Sequence, residues 1–106
     1  MEKILSEGEI HENRVIWIEA LESNKYPQAR FKLFNGKGYC CLGVAEKIFT
    51  GESSSEILGF NRYLKIGSFL GLSEDDKYLF IMYNDTLKLS FPQIAQKARK
   101  MWGIKS

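Results

Sequence analysis

The sequence predicts an α+β fold, in which a small antiparallel β-hairpin packs against about four helices in a single domain, residues 1–106. Two observations predict this class. Apolar and polar residues alternate before a glycine-rich turn, and amphipathic segments with helix-capping residues lie on both sides of that stretch. A chain of 106 residues, 44% of them hydrophobic, has the usual size of one domain and can form a core.

The hairpin is predicted from the stretch between Gln28 and Phe34. Its odd-numbered positions Ala29, Phe31 and Leu33 fall on one face, as in a half-buried strand. The next four residues, 35–38, are Asn-Gly-Lys-Gly, which tolerate positive φ and indicate a tight turn.

A second strand is expected to begin at Tyr39. Because consecutive strand residues point to opposite faces, one of Cys40 and Cys41 is expected in the core and the other on the second face. Gly43 then permits a close passage from strand to helix, so its replacement by valine is expected to destabilise the fold.

Five helical segments are indicated by apolar periodicity and by their caps. The first includes Trp17, which is interpreted as a core anchor. Residues 78–83 have strand propensity, but the capped start before them favours a helix, which Asn84 and Asp85 are expected to end. A loop is predicted over residues 51–56. The predicted helices are residues 9–23, a segment from Gly43 to Thr50 with Gly51 after it, residues 61–70, a segment capped by Ser73 with Asp76, and a segment capped by Ser90 with Gln93 and ended by Gly103.

Several classes of function are disfavoured by what the sequence lacks. No apolar run approaches the length of a membrane span, and no secretory signal is recognisable, so a reduced, cytoplasmic protein is expected. His11 is the sole histidine, and there is no second cysteine pair, so neither a metal site nor a cysteine nucleophile is expected. We therefore predict no cofactor and no enzymatic activity.

Charge is unevenly distributed along a chain of net charge +2. The first 23 residues carry six acids, whereas residues 97–106 carry four cations and no acid. This asymmetry indicates either an anion-binding face or contacts between subunits, although two solvated helix faces would give the same pattern. A sequence pI near 8.5 is too low to indicate nucleic-acid binding.

Six short motifs together resemble a group of small phage and prophage accessory proteins. The resemblance covers roughly residues 15–98. One departure is the link Thr86 to Leu89, where these proteins usually have small residues including glycine. The motifs are Trp17 to Leu21, Tyr26 to Gln28, Tyr39 to Val44, Gly71 to Ser73, Asn84 with Asp85, and Ser90 to Ala95.

The resemblance implies a counter-defence protein in the host-cell cytoplasm, similar to the Thoeris anti-defence proteins, which sequester cyclic nucleotide signals. The expected function is therefore non-enzymatic binding of a small anionic nucleotide signal. The alternative is a protein-binding inhibitor of a host defence or regulatory complex.

A nucleotide site needs cations for phosphate, an aromatic ring for the base, and amides or carboxylates for base edges and ribose. A homodimer or higher homo-oligomer is also expected, because a two-stranded hairpin leaves edges to cover. The candidate ligand-binding residues are Arg30, Lys32, Tyr39, Tyr83, Asn84, Asp85 and Arg99.

Overall fold

The computed structural model describes residues 5–53 and 61–105, and residues 61–65 are described by their backbone alone. These residues form five α-helices and one π-helical turn, the π turn. The predicted loop over residues 51–56 lies outside the described residues beyond Ser53. The elements are α1 (Glu7–Glu22), α2 (Cys41–Thr50), α3 (Asn61–Leu70), α4 (Glu74–Ile81), the π turn (Met82–Thr86) and α5 (Phe91–Trp102).

The predicted α+β class is wrong, because residues 28–40 do not form a hairpin. Their pairing is limited to isolated bridges of Tyr39 with Gln28 and with Phe34, and no sheet is found among the described residues. Phe31 has a φ of +72°, which turns the chain and breaks the strand. Ala29 and Leu33 are buried as expected, but Phe31 is 66% exposed. The domain is helical.

Residues 23–40, the connecting loop, are instead closed on themselves by backbone hydrogen bonds around Tyr39. The Tyr39 N–H donates to Pro27 O over 2.8 Å, and Tyr39 O accepts from Ala29 N over 2.7 Å. The predicted turn is confirmed, since Asn35 Oδ1 accepts from the N–H groups of Lys37 and Gly38, both over 2.9 Å. Such self-packed loops satisfy their own backbone without a sheet.

Neither cysteine lies in a strand, so the expected division between two sheet faces is wrong. Cys40 is the N-cap of α2, where its Sγ accepts from Gly43 N over 3.3 Å, and Cys41 is the first helical residue. Both thiols are buried. The sulfur thus occupies the capping position that an oxygen side chain usually takes.

The remaining helix predictions are largely confirmed. Helix α3 spans residues 61–70, and residues 78–81 are helical within α4. Capping boxes are formed by Ser73 with Asp76 and by Ser90 with Gln93. Asn84 and Asp85 do not end the helix, because the chain continues through the π turn, closed by Leu87 N to Met82 O over 2.9 Å.

Trp17 is the core anchor that the sequence predicts, with no exposed surface. Its Nε1 donates to Cys41 O over 2.8 Å, which ties α1 to the start of α2. The Phe80 ring meets it edge-on with centroids 5.1 Å apart, and Trp102 of α5 lies 6.0 Å away. Helix α1 packs chiefly against α5, and also against α2 and α3. No described helix combines the length and the apolar composition that crossing a bilayer requires.

Gly43 is required by the close approach of α2 to the connecting loop. A Cβ at this position would overlap the Leu33 carbonyl oxygen and lie 2.7 Å from its carbonyl carbon. We expect Gly43→Ala to lower the free energy of unfolding by about 3 kcal/mol, and Gly43→Val to lower it further, because backbone must move to admit the side chain. Urea denaturation measures this change.

Gly8→Ala in α1 is the matched control, since the nearest atom to its added Cβ would be Ser6 Oγ at 4.0 Å. There alanine should be neutral or stabilising by up to about 1 kcal/mol. Equal stability of Gly43→Ala and the parent would contradict this account of the α2 start.

Candidate functional site

Asn84 is at the centre of a buried hydrogen-bond network. Its Oδ1 accepts from Gln28 Nε2 over 3.0 Å and from Cys41 N over 3.2 Å. Its Nδ2 donates to Ala29 O over 2.9 Å and to Asp85 Oδ1 over 2.7 Å. A side-chain amide has two donors and two acceptor positions, and all four are used here. Asn84 therefore holds the connecting loop, α2 and the π turn together and has no capacity left for a ligand.

Asp85 and Arg30 extend this network towards the surface. Asp85 Oδ1 also accepts from Phe31 N over 3.0 Å. Arg30 Nε donates to Asn84 O over 3.0 Å, and its Nη2 lies 3.5 Å from Lys88 O. The structure thus brings three of the predicted site residues together, but their polar groups bind one another, the Gln28 side chain or backbone.

The two predicted tyrosines lie in aromatic contacts rather than in a shared site. The Tyr39 ring packs between Tyr26 and Phe34, with centroids 5.7 and 4.7 Å away, and its hydroxyl is 3.1 Å from Ser53 Oγ. The Tyr83 ring meets Phe80 edge-on at 5.9 Å. Both rings are half-buried and contribute to packing.

Arg99 clamps the end of α5 to α1. Its Nε and Nη2 donate to the two Glu22 carboxylate oxygens over 2.8 and 2.7 Å, and Nη1 donates to Lys105 O over 2.6 Å. This hydrogen bonding lowers the pKa of Glu22 and raises the pKa of Arg99. Arg99 lines an open groove of about 710 Å³. The Glu22 carboxylate and the negative end of the α5 dipole would repel an anion, so they disfavour anion binding in this groove.

Neither cysteine is poised for chemistry. Burial raises the pKa of Cys40 to about 12 and also raises the pKa of Cys41, whose Sγ donates to Phe80 O over 3.5 Å. Since the thiolate is the reactive form, both groups are inert at neutral pH. Among the described residues, no group of three or more His, Cys, Asp or Glu side chains could hold a metal ion.

Sequence reasoning did not single out one surface of the domain that combines exposed apolar and charged side chains. We call it the Phe31 surface and define it by four exposed residues, Phe31, Lys32, Leu87 and Lys88. Phe31 is 66% exposed and Leu87 53% exposed. Arg30 joins the two segments, because its side chain reaches from its own backbone to Lys88 O. Of these four residues, only Lys32 was a predicted ligand-binding residue.

Two residues of the Phe31 surface adopt left-handed backbone conformations. Phe31 has a φ of +72° and Lys88 a φ of +53°. Residues other than glycine, asparagine and aspartate seldom adopt this region, which costs roughly 1–2 kcal/mol per residue. Such strain concentrates at functional positions.

A family model described as a domain of unknown function, DUF8296, matches residues 8–63, which is just over half of the chain. The chain belongs to this family. The DUF8296 match contains Phe31, Lys32 and the loop side of the Asn84 network, whereas Asn84, Leu87 and Lys88 lie beyond it. No curated protein and no solved structure matches the chain.

The network predicts a large effect of Asn84→Leu on stability. Leucine fills the space but removes the bonds of Cys41 N and Ala29 O to Asn84, and it leaves Gln28 Nε2 only its bond to Leu89 O. Each buried group left without a partner costs roughly 1–3 kcal/mol. We expect urea denaturation to show a loss of at least about 3 kcal/mol. Gln96→Leu on the exposed face of α5 is the control and should stay within about 0.5 kcal/mol of the parent. If Asn84→Leu lowered the free energy of unfolding as little as the control does, the proposed role of Asn84 would be contradicted.

The clamp between Glu22 and Arg99 predicts a pH-dependent stability difference. Because the Glu22 pKa is held below its ordinary value of 4.5, the stabilisation is complete above that pH and is lost as pH falls through the lowered pKa. Glu22→Gln should therefore be less stable than the parent at neutral pH and equal to it in strong acid. Urea denaturation at a series of pH values measures this difference in stability. Glu12→Gln on the exposed face of α1 is the control. A difference between parent and Glu22→Gln that persists unchanged in acid would contradict the assignment.

Proposed function

We propose that this chain is a non-enzymatic binding protein that recognises a partner protein through the Phe31 surface. The observation that carries the proposal is an aromatic residue, Phe31, that is 66% exposed and has a φ of +72°. In keeping with the resemblance to phage accessory proteins, the partner is a component of a host defence or regulatory complex, and the setting is the host-cell cytoplasm.

The energetics of Phe31 support recognition over packing. Its backbone costs roughly 1–2 kcal/mol of strain, and a ring this exposed returns little of that cost through burial in the folded chain. Phe31 N is nevertheless bonded to Asp85, so the strained conformation is held in place. Exposed aromatic residues on a fixed backbone are typical centres of protein interfaces, with charged residues at the rim.

The neighbouring side chains fit this pattern. Leu87 adds apolar surface, and the ammonium groups of Lys32 and Lys88 supply the charged rim. Side chains exposed by half or more do not line an enclosed cavity, whereas small-ligand sites bury most of their ligand. The arrangement therefore favours a protein surface over a small molecule as the ligand.

Sequestration of a small anionic nucleotide signal is the second candidate. One observation favours it: exposed Phe31 is followed in sequence by exposed Lys32, and the Arg30 side chain links this segment to the backbone of exposed Lys88. A ring and cations are the groups that stack a base and hold phosphate. However, Asn84 and Asp85, the groups expected to read base edges or ribose, are engaged in the internal network.

A homodimer remains a prediction. The homodimer is expected because a hairpin would expose strand edges, but the described residues contain no sheet, so this reason no longer applies. The proposal for the Phe31 surface does not depend on it.

Phe31→Gly tests the function separately from the fold. Glycine relieves the left-handed strain but loses roughly 0.5–1 kcal/mol through chain entropy, so the free energy of unfolding should stay within about 1 kcal/mol of the parent. Binding, in contrast, should be lost. The measurement is quantitative mass spectrometry of proteins retained from a bacterial lysate by the parent and by the variant, alongside urea denaturation of both.

Ile16→Ala, which truncates a 46% exposed side chain on α1, is the control and should retain the same proteins as the parent. Thermal shift of the parent with cyclic dinucleotides and ADP-ribose isomers distinguishes the second candidate, because a tight ligand raises Tm by mass action. Identical retention by the parent and by Phe31→Gly would refute recognition through this surface.

A further inference from the structure

Resting on the proposed function, we infer that the partner of the Phe31 surface presents an acidic segment. In this arrangement carboxylates of the partner lie opposite Lys32 and Lys88, and an apolar side chain of the partner covers Phe31 and Leu87.

Both chain segments that form the surface are devoid of acidic residues. Residues 23–45 contain four cations and no aspartate or glutamate, and residues 86–106 contain five cations and none. The closest carboxylate by hydrogen bonding is that of Asp85, whose Oδ1 is occupied by Phe31 N and Asn84 Nδ2. Lys32 and Lys88 give the surface a net charge of +2, and the neighbouring Arg30 (+1) and Asp85 (−1) leave that sum unchanged.

Several cations elsewhere in the domain have internal partners, in contrast to the two lysines of this surface. Arg14 donates to Leu70 O and Gly71 O and lies 4.3 Å from the Trp102 ring centroid. Arg99 pairs with Glu22. Lys32 and Lys88 are exposed, and neither forms an ion pair with any residue that the structure describes. Their charge is therefore available to a partner.

The apolar residues favour an acidic protein segment over a nucleic acid. Phosphate backbones are bound by rows of cations, whereas this surface pairs two lysines with two exposed apolar side chains, one of them aliphatic. In protein interfaces such apolar residues contribute most of the affinity, while rim charges raise the association rate and select partners of opposite sign. Binding should accordingly weaken, but not vanish, as ionic strength rises.

The test is selection of a displayed random peptide library on the intact parent protein, followed by affinity measurement with the enriched peptides. We expect enriched peptides with a net negative charge and an aromatic or aliphatic residue. The double variant Lys32→Glu with Lys88→Glu should bind them about tenfold more weakly or worse, because like charges then face each other. Lys100→Glu, which reverses an exposed charge on the last turn of α5, should bind them like the parent.

The outcomes separate this inference from the proposed function. Peptides that need Phe31 but show no acidic bias, or that bind the double lysine variant unchanged, overturn the inference and leave the proposed function standing. If no enriched peptide loses affinity for Phe31→Gly, both are overturned. Binding of a single-stranded oligonucleotide that depends on the lysines but not on Phe31 also overturns the inference.

Discussion

The hydrogen bonding of one buried amide is the constraint on which the rest of this domain depends. Asn84 joins the connecting loop at Ala29, the first residue of α2 and the π turn, and it is fully enclosed. Inside a protein an unpaired amide is costly, and bonds in a shared network strengthen one another. The loop, α2 and the π turn must therefore adopt their positions together. Trp17 adds α1 to the same assembly through its bond to Cys41 O.

The network also fixes the surface. Asp85 is bonded to Asn84 on one side and to Phe31 N on the other, so the backbone of an exposed aromatic residue is held directly from the core. A recognition residue fixed before binding loses less conformational freedom when a partner arrives. The left-handed conformation of Phe31 is maintained in this way, because a residue outside the loop supplies the bond that stabilises it.

Sequence reasoning succeeded where structure is set locally. The caps at Ser73, Ser90, Gly51 and Gly103 depend on residues within one turn, and each is present. The connecting loop shares its apolar alternation with a strand, but Phe31 adopts a left-handed conformation there and its N–H is bonded to Asp85, 54 residues away. Distance in sequence also explains why the internal partners of the candidate site residues were not predicted. Asn84, Asp85 and Arg99 are polar residues of the kind that bind ligands, but each has a partner in a remote part of the chain, 43 to 77 residues away. Periodicity and spacing do not reveal such pairings.

The division of the Asn84 network along the chain limits how this domain can be recombined. Gln28, Ala29 and Cys41 lie within residues 8–63, which the family model matches, whereas the amide that joins them lies after this segment. A chimera with a foreign C-terminal half would need an asparagine in the same register, since a serine is too short and an aspartate would set a second carboxylate beside Asp85. For the same reason, transplanting the loop that carries Phe31 onto another scaffold would require the π turn to be transplanted with it.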